Sequence, residues 1–301
     1  MTNALSERAS GESSDDAGTR TVSVDEGRSV SYAEYGIPDG RPVVFLHGTP
    51  GSRVLGRLFD ECARRNGTRL LAPDRPGYGK SSPWPDRTPT DTGEFVAAML
   101  DDAGVSRARV VGFSGGGAFA LALAATRGEL VSEIDVVSGA TPPSLSNDTP
   151  RVQRLLGLFA RTTPRLLRGL FRGQTWLAER APPSVVVSQY ATEDGRAEIP
   201  DEVAELVKRD FVAGFERRRS GAVTELRLLA REWDFSLAEI DHPVRLWHGG
   251  RDANVPVDDA RRVAERLPNG ELTVFEDADH LTTLLRSRSR ILERRVSDDE
   301  R

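Results

Sequence analysis

The stretch Arg109-Val110-Val111-Gly112-Phe113-Ser114-Gly115-Gly116-Gly117-Ala118-Phe119-Ala120-Leu121-Ala122-Leu123 decides how the rest of this chain is read. It opens as a short apolar strand and closes as a buried helix. Between the two stands G-x-S-x-G, in the strand–turn–helix setting where that pattern carries chemical meaning. So sharp a turn forces its central residue into a strained backbone region and lifts the hydroxyl above the sheet. Small residues two positions before and after Ser114 let the strand and the incoming helix approach each other. Ser114 also falls at a helix N-terminus, where free N–H groups and the dipole favour developing negative charge. Three glycines opening a helix would each cost about 1 kcal/mol relative to alanine, so a packing or chemical reason is expected. A glycine-rich loop can match such a pattern by accident, but its place after a buried strand makes Ser114 the candidate nucleophile.

Working outward, other short apolar runs recur at 42–46, 69–72, 134–137, 244–247 and 272–275, with helix-like stretches near 53–66, 91–103, 116–127 and 257–267. Buried runs alternating with amphipathic helices describe βαβ units and a parallel sheet covered on both faces. Residues 19–26 and 28–35 alternate polar and apolar and read as two antiparallel strands joined at Gly27. From about 141 to 240 the alternation stops. The pattern there is helical throughout, punctuated at Pro142-Pro143, Pro164, Gly173 and Pro182-Pro183, and implies an insertion of roughly four helices over one sheet edge. The expected organisation is a polar, disordered tail over 1–18, a core from 19–140 and 241–295, a helical cap at 141–240, and a frayed acidic tail over 296–301.

Composition narrows the classes. With 38% hydrophobic and 29% charged residues among 301, the chain can bury a core. A single cysteine, Cys62, rules out an intrachain disulfide framework and a Cys-based zinc site, and four scattered histidines make a metal unexpected. A net charge of −5 gives no reason to invoke nucleic acid as a partner. No apolar run nears the ~18 residues of a membrane span, and the first twenty residues lack an apolar signal core. A cytoplasmic location is the expectation.

The turn around Ser114, together with His47-Gly48-Thr49-Pro50-Gly51-Ser52, Asp74-Arg75-Pro76-Gly77-Tyr78-Gly79-Lys80-Ser81, Gly249-Gly250-Arg251-Asp252 and Asp279-His280, resembles the α/β-hydrolase fold superfamily over roughly 20–295. It is similar to the esterase, proline iminopeptidase and cofactor-free haloperoxidase branch. The resemblance implies an eight-stranded, mostly parallel sheet flanked by helices, with a helical cap after the sixth strand. It further implies a serine hydrolase working without cofactor or metal on a small-molecule ester or amide. Acyl transfer, perhydrolysis, carbon–carbon bond hydrolysis, lyase chemistry and a non-catalytic receptor of the same fold stand as alternatives.

A serine hydroxyl needs a base, and the imidazole needs an acceptor to fix its tautomer. His47 lies before the middle of the sheet and suits a loop-holding role, while His242 precedes a strand and so sits at the wrong end. His248 ends a strand on the correct side and competes. His280 follows the last strand, where functional groups of parallel sheets gather, and completes the fold's order of serine, acid, histidine. On the same resemblance Asp252 is the acid; its competing reading is a turn residue before a helix. The oxyanion donors implied are the N–H of Gly115 and the N–H of Thr49, since Pro50 has none. The Thr49 hydroxyl is available as a further contact.

Weaker signals remain. Lys80-Ser81 lacks the spacing of a phosphate-binding loop. Residues 151–172 hold six arginines and no carboxylate. That segment can meet a membrane surface or an anionic ligand, but the plainer reading packs its apolar face on the pocket, with the arginines solvated or paired to acids between Glu193 and Glu205. Phe113, Trp176 and Trp233 are candidates for lining an apolar pocket.

Overall fold

The computed structural model describes residues 18–147 and 150–293. The disordered start, Gly18 apart, and the acidic end expected at 296–301 fall outside the described residues. Eight strands form one sheet: β1 (Arg20–Ser23), β2 (Ser29–Gly36), β3 (Arg41–Leu46), β4 (Thr68–Pro73), β5 (Ala108–Phe113), β6 (Val131–Val137), β7 (Val244–Gly249) and β8 (Gly270–Phe275). Their spatial order is β1-β2-β4-β3-β5-β6-β7-β8. Only β2 runs against its neighbours, pairing antiparallel with β1 and β4, while the pairs from β4 through β8 are parallel. The sheet is therefore the mostly parallel, eight-stranded one that the sequence implies. The first hairpin is shorter than its alternating pattern, because Asp25 Oδ1 accepts the N–H groups of Gly27 and Arg28 and ends pairing at Ser23.

Alternation along each strand supplies both faces. Val43 and Phe45 join Val111, Phe113, Val137 and Trp247 in one core layer. Val44 and Leu46 join Val110, Ile134, Val136 and Leu246 in the other. Helices cover both layers. A 3-10 helix (Arg53–Phe59) runs into α1 (Asp60–Arg65), followed in the chain by α2 (Thr92–Asp102) and α3 (Gly115–Thr126). The single helix expected over 53–66 is thus split into two types. In α3, residues Gly115 to Ala124 are all buried, the signature of a helix enclosed on every side.

Between β6 and β7 come α4 (Arg151–Thr162), α5 (Pro164–Arg180), α6 (Pro183–Val187), α7 (Glu193–Ala197), α8 (Asp201–Gly214) and α9 (Ser220–Leu229). These are six helices among the described residues, not four, since two of them are too short to show a period. Pro150, Pro164, Pro183 and Pro200 stand at helix starts, where a missing N–H costs nothing. Gly173, expected to break the pattern, lies inside α5. The chain then completes α10 (Val257–Arg266) and α11 (His280–Leu292).

Candidate active site

The turn after β5 carries the first element of the site. Ser114 has φ 53° and ψ −122°, a left-handed conformation that a residue with a side chain adopts only when its surroundings enforce it. Two glycines make the enforcement possible. A Cβ on Gly112 would stand 2.6 Å from the Gly116 carbonyl oxygen, and one on Gly116 would stand 2.5 Å from the His47 carbonyl oxygen. The Ser114 N–H donates to the Val137 carbonyl at 2.9 Å, and its own carbonyl accepts from Ala140 at 2.9 Å and Gly117 at 3.0 Å. The residue is thereby fixed at the mouth of α3.

His280 opens α11, capped by Asp279, whose Oδ1 accepts the Thr282 N–H at 2.9 Å. Its Nδ1 hydrogen-bonds Asp252 Oδ2 at 2.8 Å. The other carboxylate oxygen, Oδ1, accepts from the N–H groups of Asn254 at 2.8 Å and Val255 at 2.9 Å. Burial alone would raise the Asp252 pKa, but the adjacent His280, its hydrogen bond, and His248 hold the carboxyl below the usual range. The turn role and the histidine-orienting position are therefore both filled by this one side chain. His248 stands 3.5 Å from Asp252 Oδ2 and gives its Nε2 to the Val255 carbonyl at 2.9 Å. Burial pushes its pKa down.

The Nε2 of His280 is buried without a hydrogen-bond partner, so no bond to Ser114 is made in this geometry. Phe113, 3% exposed, brings its ring centroid within 5.1 Å of the His280 ring. Tyr190 stacks over the same imidazole at 6.4 Å and 18°. Its carbonyl accepts the Leu281 N–H at 3.1 Å, and Asp279 Oδ2 accepts the Thr192 N–H at 2.8 Å. These bonds fasten the helical stretch directly beside His280.

The loop after β3 closes on the serine from the opposite side. A Cβ on Gly48 would lie 3.6 Å from the Ser114 Cβ, and one on Gly115 would lie 2.8 Å from the Thr49 Cβ. The Thr49 hydroxyl is not free to meet a substrate. It donates to Glu225 Oε2 at 2.6 Å and accepts from Arg75 at 3.1 Å. Glu225, fully buried on α9, also accepts from Arg75 at 2.6 and 2.7 Å, from Arg87 at 2.7 Å and from the Tyr78 hydroxyl at 2.9 Å. Arg75 in turn donates to the carbonyls of His47 and Gly48. Burial would raise the Glu225 carboxyl, but Arg75 and Arg87 hold it far below the usual range. Burial, with Arg75 alongside, pushes His47 well below the ordinary imidazole value. Its Nδ1 donates to the Gly48 carbonyl at 2.8 Å and its Nε2 accepts the Arg75 N–H at 3.2 Å, which is the loop-holding role.

A second buried carboxylate, Asp210 on α8, takes the N–H and hydroxyl of Ser52, both at 2.8 Å, and the Leu55 N–H at 3.2 Å. Glu225 and Asp210 were not singled out in the sequence, although a signal exists. Each stands on the apolar stripe of its helix, Glu225 among Ala222, Leu226 and Leu229, Asp210 among Leu206, Val207, Phe211 and Gly214. Tyr190 left no comparable mark.

Two pocket candidates lie apart from these groups. Trp176 is 57% exposed on the outer side of α5. Trp233 stacks on Phe235 and lines a shallow cavity with Pro142, Leu145 and Phe235, away from Ser114 and His280. The 74–81 loop bonds to itself, with the Lys80 N–H on Asp74 Oδ2 and the Ser81 hydroxyl on the Asp74 carbonyl. Among the described residues, no group of three or more His, Cys, Asp or Glu side chains could hold a metal ion.

A parallel sheet with a strained serine past β5 and a carboxylate–imidazole pair past β7 and β8 defines a recognisable class. The model of the alpha/beta hydrolase fold matches residues 41–286, and the chain belongs to that family. A non-heme chloroperoxidase of Streptomyces lividans is 28% identical over 265 residues, covering 86% of this chain and 92% of that protein. The dihydrolipoyllysine-residue acetyltransferase component of an acetoin cleaving system in Pseudomonas putida is 25% identical over 264 residues, covering 86% of this chain; the chain spans 63% of that protein's length. Among solved structures, an esterase from Exiguobacterium antarcticum superposes with a TM-score of 0.67 at 21% identity, covering 91% of this chain and 96% of that one.

Proposed function

We propose that this protein is a serine hydrolase that cleaves small carboxylic esters. One observation carries the reading: His280 is hydrogen-bonded to a buried carboxylate through Nδ1, while its Nε2 lies buried and unpartnered beside the strained turn that holds Ser114. Asp252 fixes the tautomer with the proton on Nδ1, leaving Nε2 to accept. Ser114 Oγ attacks the ester carbonyl as His280 Nε2 takes its proton, a contact that tightens once substrate is seated. The oxyanion is held by the N–H groups of Gly115 and Thr49, worth several kcal/mol for such a donor set. His280 then returns the proton to the leaving alcohol, and water resolves the acyl-enzyme by the same steps. The stretch 141–240 serves as a cap, with Tyr190 over the imidazole. Amides are a second substrate class of the same mechanism.

The test is covalent. A fluorophosphonate should label the wild type and leave Ser114→Ala unlabelled, with p-nitrophenyl ester turnover falling by roughly 10³-fold or more. Undiminished labelling of Ser114→Ala would remove the serine from the chemistry.

A further inference from the structure

The outer surface of α4 and α5 departs in part from the plainer reading of this arginine-rich segment: Leu167 and Phe171 pack inward and the arginines are exposed, but other apolar side chains face outward. The side chains of Val152, Leu155, Leu158, Leu166, Leu170 and Leu177 are between 50% and 68% exposed, and Trp176 is 57% exposed. A separate set, including Leu167, Phe171 and Ala178, makes the inward face. The helices therefore carry two apolar sides, and one of them meets no other element among the described residues. Leu166, Leu170 and Leu177 fall on one stripe of α5, spaced four and seven residues apart, and Arg180, Arg165 and Arg172 follow in turn around the exposed side of the helix, while Arg168 stands opposite the stripe. On α4, Leu155 and Leu158 form a ridge beside Arg151, Arg154 and Arg161.

Charge decides what fits this face. Residues 151–180 contain seven arginines and one carboxylate, Glu179, within a chain of net charge −5. Among the described residues only Arg180 of the seven forms an ion pair, with its neighbour Glu179. Two of the acids expected to balance the others point elsewhere: Asp194 meets Arg251 and Glu198 meets Arg286. A second copy of the same face would set arginines against arginines, since a two-fold contact repeats one patch on both sides. Exposed leucines bordered by arginines and a tryptophan are what an interfacial helix presents to a bilayer.

We propose that the α4–α5 face docks on an anionic phospholipid surface, with its leucines and Trp176 entering the headgroup region and its arginines meeting lipid phosphates. The Gln153 side chain, on the other side of α4 from this ridge, reaches the Asn254 carbonyl, two residues from Asp252, so α4 itself lies between the docked surface and the acid loop.

Full-length protein would be floated with vesicles of phosphatidylcholine alone and of equimolar phosphatidylcholine and phosphatidylglycerol. Binding should require phosphatidylglycerol and should weaken strongly between about 0.1 M and about 1 M salt, as the Debye length falls from roughly 10 Å to roughly 3 Å. Arg165→Glu with Arg172→Glu, or Leu166→Ser with Leu170→Ser, should reduce partitioning at least about thirtyfold. Both variants should keep the wild-type melting temperature, because the replaced side chains are exposed. A blue shift of tryptophan emission on binding should vanish in Trp176→Phe. Equal binding to both vesicle types, no binding to either, or variants that partition like wild type would overturn the proposal. So would a dimer in solution that Leu166→Ser with Leu170→Ser dissolves, since the face would then belong to a second copy.

Discussion

At Ser114 the backbone holds a φ of 53°, and the cost of that conformation, of order 1–3 kcal/mol, is met by packing that tolerates no substitution at its neighbours. Gly116 is the tightest of them, pressed against the carbonyls of Leu46 and His47. Gly116→Ala must push α3 away from the end of β3, because backbone atoms stand where its methyl would go. The expected result is a destabilisation of about 1–3 kcal/mol, the usual range for overpacking, with fluorophosphonate labelling of Ser114 slowed or lost. A variant that melts and labels like wild type would show that the turn has slack that its contacts do not suggest. Thr49 teaches the complementary point. Its hydroxyl was expected as a further contact near Ser114, yet the structure turns it to Glu225, leaving only its backbone N–H for the proposed oxyanion role.

At the scale of elements, β3's loop is positioned from beneath by the 74–81 loop and from above by α8 and α9. Arg75 joins these levels: it holds the His47 and Gly48 carbonyls and is itself held by Glu225. Removing one charge from such a buried cluster leaves the other uncompensated, which typically costs about 3–5 kcal/mol. Glu225→Gln keeps the shape and removes the charge. Its urea midpoint should fall, with the unfolding free energy lowered by an amount in that range, and ester turnover should drop with it as the Gly48–Thr49 backbone loses its anchor. An unchanged midpoint would mean that Arg75 and Arg87 find compensation elsewhere. The helices between β6 and β7 and the sheet core are thus one structural system at this loop, even though the sequence presents them as separate blocks.

At the scale of the whole molecule, stability against pH carries a signature of that joint. Burial pushes the Asp210 carboxyl up to about 7, against the hydrogen bonds from Ser52 and Leu55. A carboxyl raised on folding binds its proton more tightly folded than unfolded. Its contribution is therefore fully present below the unfolded value near 4 and is lost as pH rises through about 7. His47 and His248 act in the opposite sense, since both are held neutral and their charging on unfolding penalises the fold at acid pH. Asp210→Asn isolates the carboxyl, because an amide oxygen can still accept the three bonds at that position. The unfolding free energy of Asp210→Asn relative to wild type should rise between pH 5 and pH 8, at about 1.4 kcal/mol per pH unit at most. A difference that stays level across that range would place the titration of Asp210 elsewhere.

What the sequence determined by itself was local in origin. The strained turn around Ser114, the buried strands and their parallel order follow from sterics and periodicity over a few residues, and each strand's end marks where a functional loop must begin. Asp252 and His280 were singled out as polar residues just past β7 and β8 only with the help of the family resemblance, and the structure brings the two into contact. What only the tertiary structure decided involves partners far apart in the chain. Glu225 meets Thr49 across 176 residues and Asp210 meets Ser52 across 158, and no periodic pattern encodes which buried carboxylate serves which loop. The outward leucines of α4 and α5 are of the same kind. Helical spacing shows that a helix has an apolar stripe, but only the packed molecule shows whether anything lies against it.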